Sequence, residues 1–404
     1  MYNIGLLGLG TVGTGVVEII EKRKDELKSL TGQDISIKKV LVKDLNKQRS
    51  VVLKSDVLTT NCKEILQDKD INIIVEVTGD LEKGYKYITD ALSNGKHVVT
   101  ANKAIVSKYF EELSSLAADN NVGFLYEASV GGGIPVLKPL KEALFLNEVT
   151  EVQGILNGTC NYILTRMIEE DKNYEDVLKN AQKLGYAEAD PTADVEGHDT
   201  LRKLRILSTL ALRGKIEEED ILLGGISTIT SFDINHIKNM NSTVKLIAEA
   251  KALDDGFIAI VQPTIVPDNN YFANVNMAFN SVAFKGDNVG ELKFYGAGAG
   301  KLPTANAVLS DVIDIVMDTY RKGNPLGHRV LKNLNSNIRG RYYLRISDAN
   351  DEIVHALRGV AEDVLSSGSI TAIVTREIQL PELNKLITDF KIDRSRYFLA
   401  GILD

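Results

Sequence analysis

Residues Gly8-Leu9-Gly10-Thr11-Val12-Gly13 stand directly after the apolar run Ile4-Gly5-Leu6-Leu7 and directly before an amphipathic stretch reaching about Glu21. A Gly-x-Gly-x-x-Gly between a strand and a helix gives each glycine a mechanical task. The first makes the tight turn, the second lets a pyrophosphate approach the backbone, and the third lets helix and strand pack closely. The N–H groups at the helix start, with its dipole, then hold the phosphates. Glycine-rich turns occur in any α/β fold; the βαβ context is what makes this one a dinucleotide loop.

Further β-branched runs follow at Ser36–Val42, Ile71–Val77, His97–Thr100 and Val122–Tyr126, alternating with helical stretches. That alternation predicts a parallel sheet covered by helices. The fold class is therefore α/β, with a Rossmann-type dinucleotide-binding domain over residues 1–130. At Gly131-Gly132-Gly133-Ile134-Pro135 the alternation breaks. Residues 131–304 mix helices, to about residue 222, with strands from 256 to 295, and read as an α+β substrate-binding and dimerisation domain. Ala305–Tyr320 reads as a helix able to pack back on the first domain. Residues 321–340, around Gly323-Asn324-Pro325, read as a linker. Residues 341–404 read as a small module: a strand (Tyr342–Ser347), a helix (Glu352–Leu365), a strand (Ile370–Ile378), a helix (Pro381–Phe390) and a last strand near Tyr397.

Composition narrows the partners. A chain of 404 residues with 44% hydrophobic and 25% charged residues fits about two or three globular domains. Lys+Arg 47 against Asp+Glu 55 leaves a formal charge of −8, which argues against nucleic acid or an anionic membrane as the main partner. The apolar runs fall short of the roughly 20 residues a spanning helix needs. Met1-Tyr2-Asn3 leads straight into a strand with no secretory leader. Cys62 and Cys160 are too few for a disulfide framework or a four-ligand zinc site. A cytoplasmic protein is expected.

After the second strand come Lys43-Asp44, Lys47 and Arg49. A carboxylate there would bind the ribose 2′-hydroxyl of NAD, whereas cations would accept the 2′-phosphate of NADP. Three cations around one carboxylate favour NADP, with NAD tolerated; the same residues also fit an ordinary solvated surface. Thr78-Gly79 and Asn102-Lys103 follow the third and fourth strands, at the sheet edge where open α/β sheets bind ligands.

The segment Glu188 to Leu207 carries the most chemistry. Beyond Gly197 it turns helical, and at about 100° per residue Asp199 and Lys203 share an arc with Ile206, Leu207 and Leu210. Arg202, Arg205 and Thr209 fall on the opposite, polar arc. An Asp–Lys pair on the face due for burial is costly unless paired, and functional sites are where that cost is accepted. It would suit a lysine exchanging a proton with a substrate hydroxyl, oriented by Asp199. A surface i, i+4 salt bridge at the rim of the apolar stripe is the plainer alternative. Glu188, on an acidic loop, could reach the same pocket and accept from a substrate ammonium or hydroxyl. A different nicotinamide oxidoreductase or a non-catalytic metabolite sensor remains a rival reading.

These residues also carry a family likeness. The Gly8–Gly13 loop, Val99-Thr100-Ala101-Asn102-Lys103-Ala104, Tyr126 to Pro135, Gly154 to Leu164 with its Asn157-Gly158-Thr159, Gly185 to Pro191, Asp194 to Leu207 and Gly296 to Gly300 together resemble homoserine dehydrogenase. The likeness runs from residue 2 to about 320. It implies NAD(P)-dependent interconversion of L-homoserine and L-aspartate 4-semialdehyde, in threonine and methionine biosynthesis, by a homodimer or homotetramer. It implies proton transfer by Lys203, substrate binding by Glu188 and Asp199, and a second catalytic lysine at Lys103. Cofactor contacts would fall on Gly8, Gly10, Thr11, Val12, Gly13, Lys43, Thr78, Lys103, Gly185 and Gly300. A sodium ion would be held largely by backbone carbonyls at Glu127, Val130, Gly132 and Ile134. The family usually has arginine where this chain has Lys43, which keeps the charge without the bidentate fork.

The module at 341–404 resembles an ACT-type regulatory domain. Its first turn reads Asp348-Ala349-Asn350-Asp351-Glu352 in place of a Pro-Gly pair. Binding of an amino-acid effector such as threonine, and a purely oligomerising role, both stay open.

Overall fold

A computed structural model describes residues 1–320 and 322–403. Arg321, in the expected linker, and Asp404, at the end of the expected module, lie outside the described residues. By contacts the chain divides into two compact units: residues 1–147, 209–215 and 296–329, and residues 148–208, 216–295 and 330–404.

The first unit is built on six strands: β1 (Tyr2–Leu7), β2 (Ile35–Leu41), β3 (Leu58–Thr59), β4 (Ile73–Glu76), β5 (His97–Thr100) and β6 (Phe124–Leu125). All pairings are parallel, in the order β3-β2-β1-β4-β5-β6. This is the doubly wound order whose switch point lies between β1 and β4. The central strand β4 is buried throughout, as near-continuous Val/Ile runs in parallel sheets are. Sequence reading stops at five strands; β3 is missed because two residues cannot show a period.

Helix α1 (Thr11–Thr31) packs against α2 (Lys301–Val316), and Val16, Val17, Ile20, Ala305, Val308 and Val312 join one buried cluster. A Cβ on Gly15 would stand 2.7 Å from the Lys301 carbonyl oxygen, so this glycine permits the close approach. Lys301 Nζ seals it at 2.7 Å from Glu18 Oε1.

The second unit holds one twelve-stranded sheet. Its main path uses β7 (Val149–Ile155), then, after the short β8 (Leu222–Leu223), the long hairpin β9 (Ser242–Leu253) and β10 (Gly256–Pro267). β11 (Phe279–Gly286) and β12 (Gly290–Ala297) extend one side. β9 and β10 pair antiparallel over their full lengths across the Asp254-Asp255 turn, Asp254 taking φ +44°. After β13 (Lys332–Asn333) come β14 (Arg339–Ser347), β15 (Ala361–Ser367), β16 (Ile370–Thr375), β17 (Ile378–Gln379) and β18 (Tyr397–Ile402). The other edge of β10 is lined in turn by three short stretches, β13 at Gly256–Phe257, β8 at Ile260–Val261 and β18 at Thr264–Ile265.

The C-terminal strands run β18-β14-β16-β15, all antiparallel, with helices Asp351–Val360 and Leu380–Asp389 between them. This is a βαββαβ arrangement of the ferredoxin-like kind. One expectation needs correcting: the helix read as Glu352–Leu365 ends at Val360, and Ala361–Ser367 is the edge strand β15. That strand is mostly solvent-facing, so it lacks the alternation that marks a half-buried strand. Inside the unit, Arg345 on β14 is buried and donates to both carboxylate oxygens of Asp233, each at 3.2 Å, while Tyr343 donates to Asp233 Oδ1 at 2.8 Å.

No described helix is long and apolar enough to cross a membrane.

Candidate active site

In the first unit a groove of about 890 Å³ opens over the carboxyl ends of β1, β2 and β4. Gly8, Gly10, Thr11, Lys43 and Thr78 line it, with Asp44, Lys47, Arg49 and Lys301. The three glycines differ in what they do. Gly8 sits at φ +104°, and a Cβ there would stand 2.8 Å from the Val77 carbonyl oxygen. A Cβ on Gly13 would meet the Gly8 carbonyl oxygen at 2.2 Å, so Gly13 sets the packing of α1 on the turn. A Cβ on Gly10 meets nothing within 4 Å. Its missing side chain leaves open groove, which is the cradle a pyrophosphate needs. Val12 does not line the groove; its side chain packs on the core.

The cation cluster is uneven. Arg49 is turned into its own loop, donating to the carbonyls of Asp44, Leu45 (3.1 Å) and Lys47 (2.7 Å). Lys43 is exposed, and its ammonium has no hydrogen-bond or ion-pair partner among the described residues. It is therefore available to a phosphate, whereas Arg49 shapes the wall that presents it.

Thr78 is held by a residue that sequence reading overlooked. Thr78 donates from its backbone N–H (2.8 Å) and hydroxyl (2.6 Å) to Glu76 Oε1, and Thr100 donates to Oε2 at 2.8 Å. Burial pushes the Glu76 carboxyl above its ordinary value, against the pull of those hydrogen bonds. A Glu closing an apolar strand is the signal that was there to be read. Lys103, half-buried, opens a short helix at 103–108 whose cap is Asn102, its side chain accepting from the Ile105 N–H. Gly300 caps the start of α2 at φ +127°.

The loop at 127–134 also belongs to this unit. Gly131 and Gly132 take φ +74° and +59°, and a Cβ on Gly132 would lie 2.2 Å from the Gly298 carbonyl oxygen. The Glu127 side chain accepts from the N–H groups of Val136 (2.6 Å), Leu137 (2.7 Å) and Lys138 (2.8 Å), capping the helix Leu137–Ala143. The buried carbonyls of Val130, Gly132 and Ile134 accept no hydrogen bond from the described residues. Three buried carbonyls left open suit a hard cation.

The second unit carries the lysine. Helix α3 (His198–Ala211) places Asp199 and Lys203 one turn apart, only 4% and 7% exposed. Lys203 Nζ lies 2.7 Å from Asp199 Oδ2 and 2.6 Å from the Leu156 carbonyl oxygen. Asn157, just beyond β7, donates from Nδ2 to Asp199 Oδ2 (2.8 Å) and to Asp194 Oδ1 (2.7 Å). Neither Asn157 nor Asp194 was singled out from sequence. The Asn-Gly-Thr after a strand was a legible helix-cap signal, but its carboxylate partners arrive from later segments.

One correction follows for this helix. Arg205 and Thr209, expected on a polar arc, are both buried, and Arg205 Nη2 lies 3.4 Å from Glu217 Oε2. The helix is covered on that side too, and Arg205 meets Glu217 there instead of water. Glu188 is exposed, and its carboxylate has no hydrogen-bond or ion-pair partner among the described residues; no contact joins it to Lys203 or Asp199. Its loop is nevertheless tied to the Asn-Gly-Thr motif, because Thr159 donates to the Tyr186 carbonyl at 2.7 Å and Tyr186 stacks on Tyr162. Gly185, at φ +79°, makes the turn into that loop.

Comparison with known proteins gives a consistent answer. A family model described as homoserine dehydrogenase matches residues 135–313, and one described as its NAD-binding domain matches residues 8–127. Homoserine dehydrogenase of Bacillus subtilis is 46% identical over 356 residues, covering 87% of this chain and 82% of the relative. The chain belongs to the homoserine dehydrogenase family. A solved homoserine dehydrogenase from Thiobacillus denitrificans, 34% identical, matches 100% of this chain and 98% of its own with a TM-score of 0.90. A hyperthermophilic archaeal homoserine dehydrogenase in complex with NADPH, 25% identical, matches 79% of this chain and 99% of its own with a TM-score of 0.68. The α/β fold, the nicotinamide-binding domain and the oxidoreductase activity expected of a homoserine dehydrogenase are thereby established.

Proposed function

We propose that this homoserine dehydrogenase interconverts L-homoserine and L-aspartate 4-semialdehyde, with NADP as preferred cofactor and NAD tolerated, and with Lys203 exchanging the substrate-oxygen proton. The observation that carries the reading is the buried Lys203 ammonium held between Asp199 and the Leu156 carbonyl. These two acceptors fix where the Lys203 nitrogen stands. In oxidation, Lys203 as the neutral amine takes the hydroxyl proton and becomes the ammonium; in reduction, the ammonium gives that proton to the aldehyde oxygen as the alkoxide forms. Asp199 keeps the lysine in register, and Glu188, without a partner among the described residues, accepts from the substrate ammonium. Lys103 is the second catalytic lysine that the family resemblance implies. The nicotinamide, when bound, supplies the hydride acceptor or donor, and the protein's part is to position and polarise.

For the cofactor, the open space at Gly10 and the backbone around Gly8, Thr11, Val12 and Gly13 suit the pyrophosphate, with Thr78 and Gly300 as further contacts in the same unit. Lys43, exposed on the groove wall, would take the 2′-phosphate; the NADPH held by the archaeal relative supports that choice. The open carbonyls of Val130, Gly132 and Ile134, with that of Glu127, suit sodium, which would order the loop. The βαββαβ order supports an ACT-like role for residues 341–404, in oligomerisation or in sensing an amino acid such as threonine. Two free cysteines, Cys62 and Cys160, fit a cytoplasmic enzyme working in threonine and methionine biosynthesis as a homo-oligomer.

The test is direct. Pure protein with homoserine and NADP+ should generate the reduced-nicotinamide absorbance, and Lys203→Ala should lose it while still binding NADPH. Wild-type turnover in that variant would end the assignment.

A further inference from the structure

Asn157 sits at a junction that its role as a helix cap does not explain. It is buried, and every polar atom of its side chain is committed. Oδ1 accepts from the Cys160 N–H at 2.8 Å, capping the helix Gly158–Glu170. Nδ2 donates one hydrogen to Asp194 Oδ1 at 2.7 Å and the other to Asp199 Oδ2 at 2.8 Å. The reverse amide orientation would set a carbonyl oxygen against two carboxylates, so the network itself fixes which atom is nitrogen. One amide thus holds together two acidic groups that would repel each other. The same Asp199 Oδ2 accepts from Lys203, and the carbonyl preceding Asn157, that of Leu156, is the second acceptor of the Lys203 ammonium.

We propose that Asn157 is a positioning residue for proton transfer: by dividing its amide hydrogens between Asp194 and Asp199 it fixes the carboxylate that aims Lys203. This rests on the reading of Lys203 as the proton-transfer group. Asn157 touches no reacting atom in this account. It acts by keeping Asp199 Oδ2 turned toward the lysine, with Asp194 tied in as the second support.

A cap and a carboxylate clamp call for different chemistry, which makes them separable. Serine and aspartate both cap helices about as well as asparagine. A serine at 157 lacks the two-hydrogen amide, and an aspartate can donate nothing and adds a third negative charge. Asp199 on the lysine's own helix, Asp194 and Glu196 on the preceding turn, and Lys203 itself all act on the buried Cys160 thiol of the facing helix, so these groups share one electrostatic neighbourhood.

The experiment measures homoserine oxidation against pH for wild type, Asn157→Ser and Asn157→Asp, with NADPH binding and thermal melts alongside. Expected for Asn157→Ser is a melt close to wild type, unchanged NADPH binding and a fall in kcat of at least about 30-fold. Expected for Asn157→Asp is a rise of about one unit in the acid limb of kcat/KM, because an added carboxylate holds the proton on Lys203 to higher pH. Wild-type kcat and an unmoved limb in both variants would overturn the proposal and leave Asn157 a cap. So would a loss of kcat that only tracks a lowered melting temperature, with the limb in place. A wild-type enzyme that does not oxidise homoserine would instead remove the underlying reading, which the same assay shows before any variant is compared.

Discussion

Lys245 donates from its buried ammonium to the Val275 carbonyl oxygen at 2.6 Å, and the same nitrogen lies 2.9 Å from Asn276 Oδ1 and 3.3 Å from Asn161 Oδ1. A lysine on a central strand therefore pins the loop before β11 to the helix that follows Asn157. Burial holds its amine down to about 8. Below that pH the folded and unfolded chains both carry the proton, so the full cost of burying the charge is present. Between about 8 and the ordinary 10.5 the folded protein has released it and the unfolded chain has not, so stability rises with pH. Relative to Lys245→Met, wild type should gain roughly 3 kcal/mol across that window. Urea unfolding of both proteins at pH 7, 8.5 and 10 measures it, and a flat difference would contradict the assignment.

Lys203→Ala should lower kcat by roughly 10²- to 10⁴-fold, the range for a lost general acid–base group. Removing the cation also leaves the Asp199 carboxylate buried without it, so a stability loss of about 3–5 kcal/mol should accompany the change. NADPH binding by fluorescence should stay within a few-fold of wild type. A tenfold or greater loss of cofactor affinity would mean that the lysine serves the nucleotide rather than the proton.

Gly10 and Gly13 should answer differently to the same added methyl group. Gly10→Ala puts a Cβ into open groove, so the melt should hold while the KM for the nicotinamide cofactor rises at least about tenfold. Gly13→Ala drives a Cβ against a backbone oxygen, which cannot swing aside, so the protein itself should lose stability, by about 2–4 kcal/mol. Equal melts for the two variants would refute this division of labour.

Lys43→Ala should raise the KM for NADP about tenfold and leave that for NAD within about twofold, since only NADP offers a phosphate to the lost ammonium. Equal losses for both cofactors would assign Lys43 to the shared part of the dinucleotide.

How far the sequence could be read depended on where each residue's partners lie. The glycine loop was legible because its chemistry is written in consecutive residues. The burial of Asp199 and Lys203 was legible because helical geometry carries it within one turn. Arg205 was misplaced because its partner Glu217 lies beyond the end of the helix, and the arc rule sends every charge without a visible partner toward water. Glu76 and Asn157 act on groups 24 and 42 residues away, on Thr100 and Asp199, and only the folded sheet brings those together. β15 escaped because an edge strand facing solvent has no periodic stripe.

The three short stretches lying along β10 have a practical consequence for chain length. Gly401 and Ile402 lie along Thr264 and Ile265, and the Leu403 N–H donates to the Ile265 carbonyl oxygen at 2.9 Å. A premature stop or a nick just upstream would strip the sheet's backbone donors and acceptors at that point, and bare strand backbone recruits neighbouring chains. Clipping the tail should therefore yield aggregates rather than a trimmed, active enzyme.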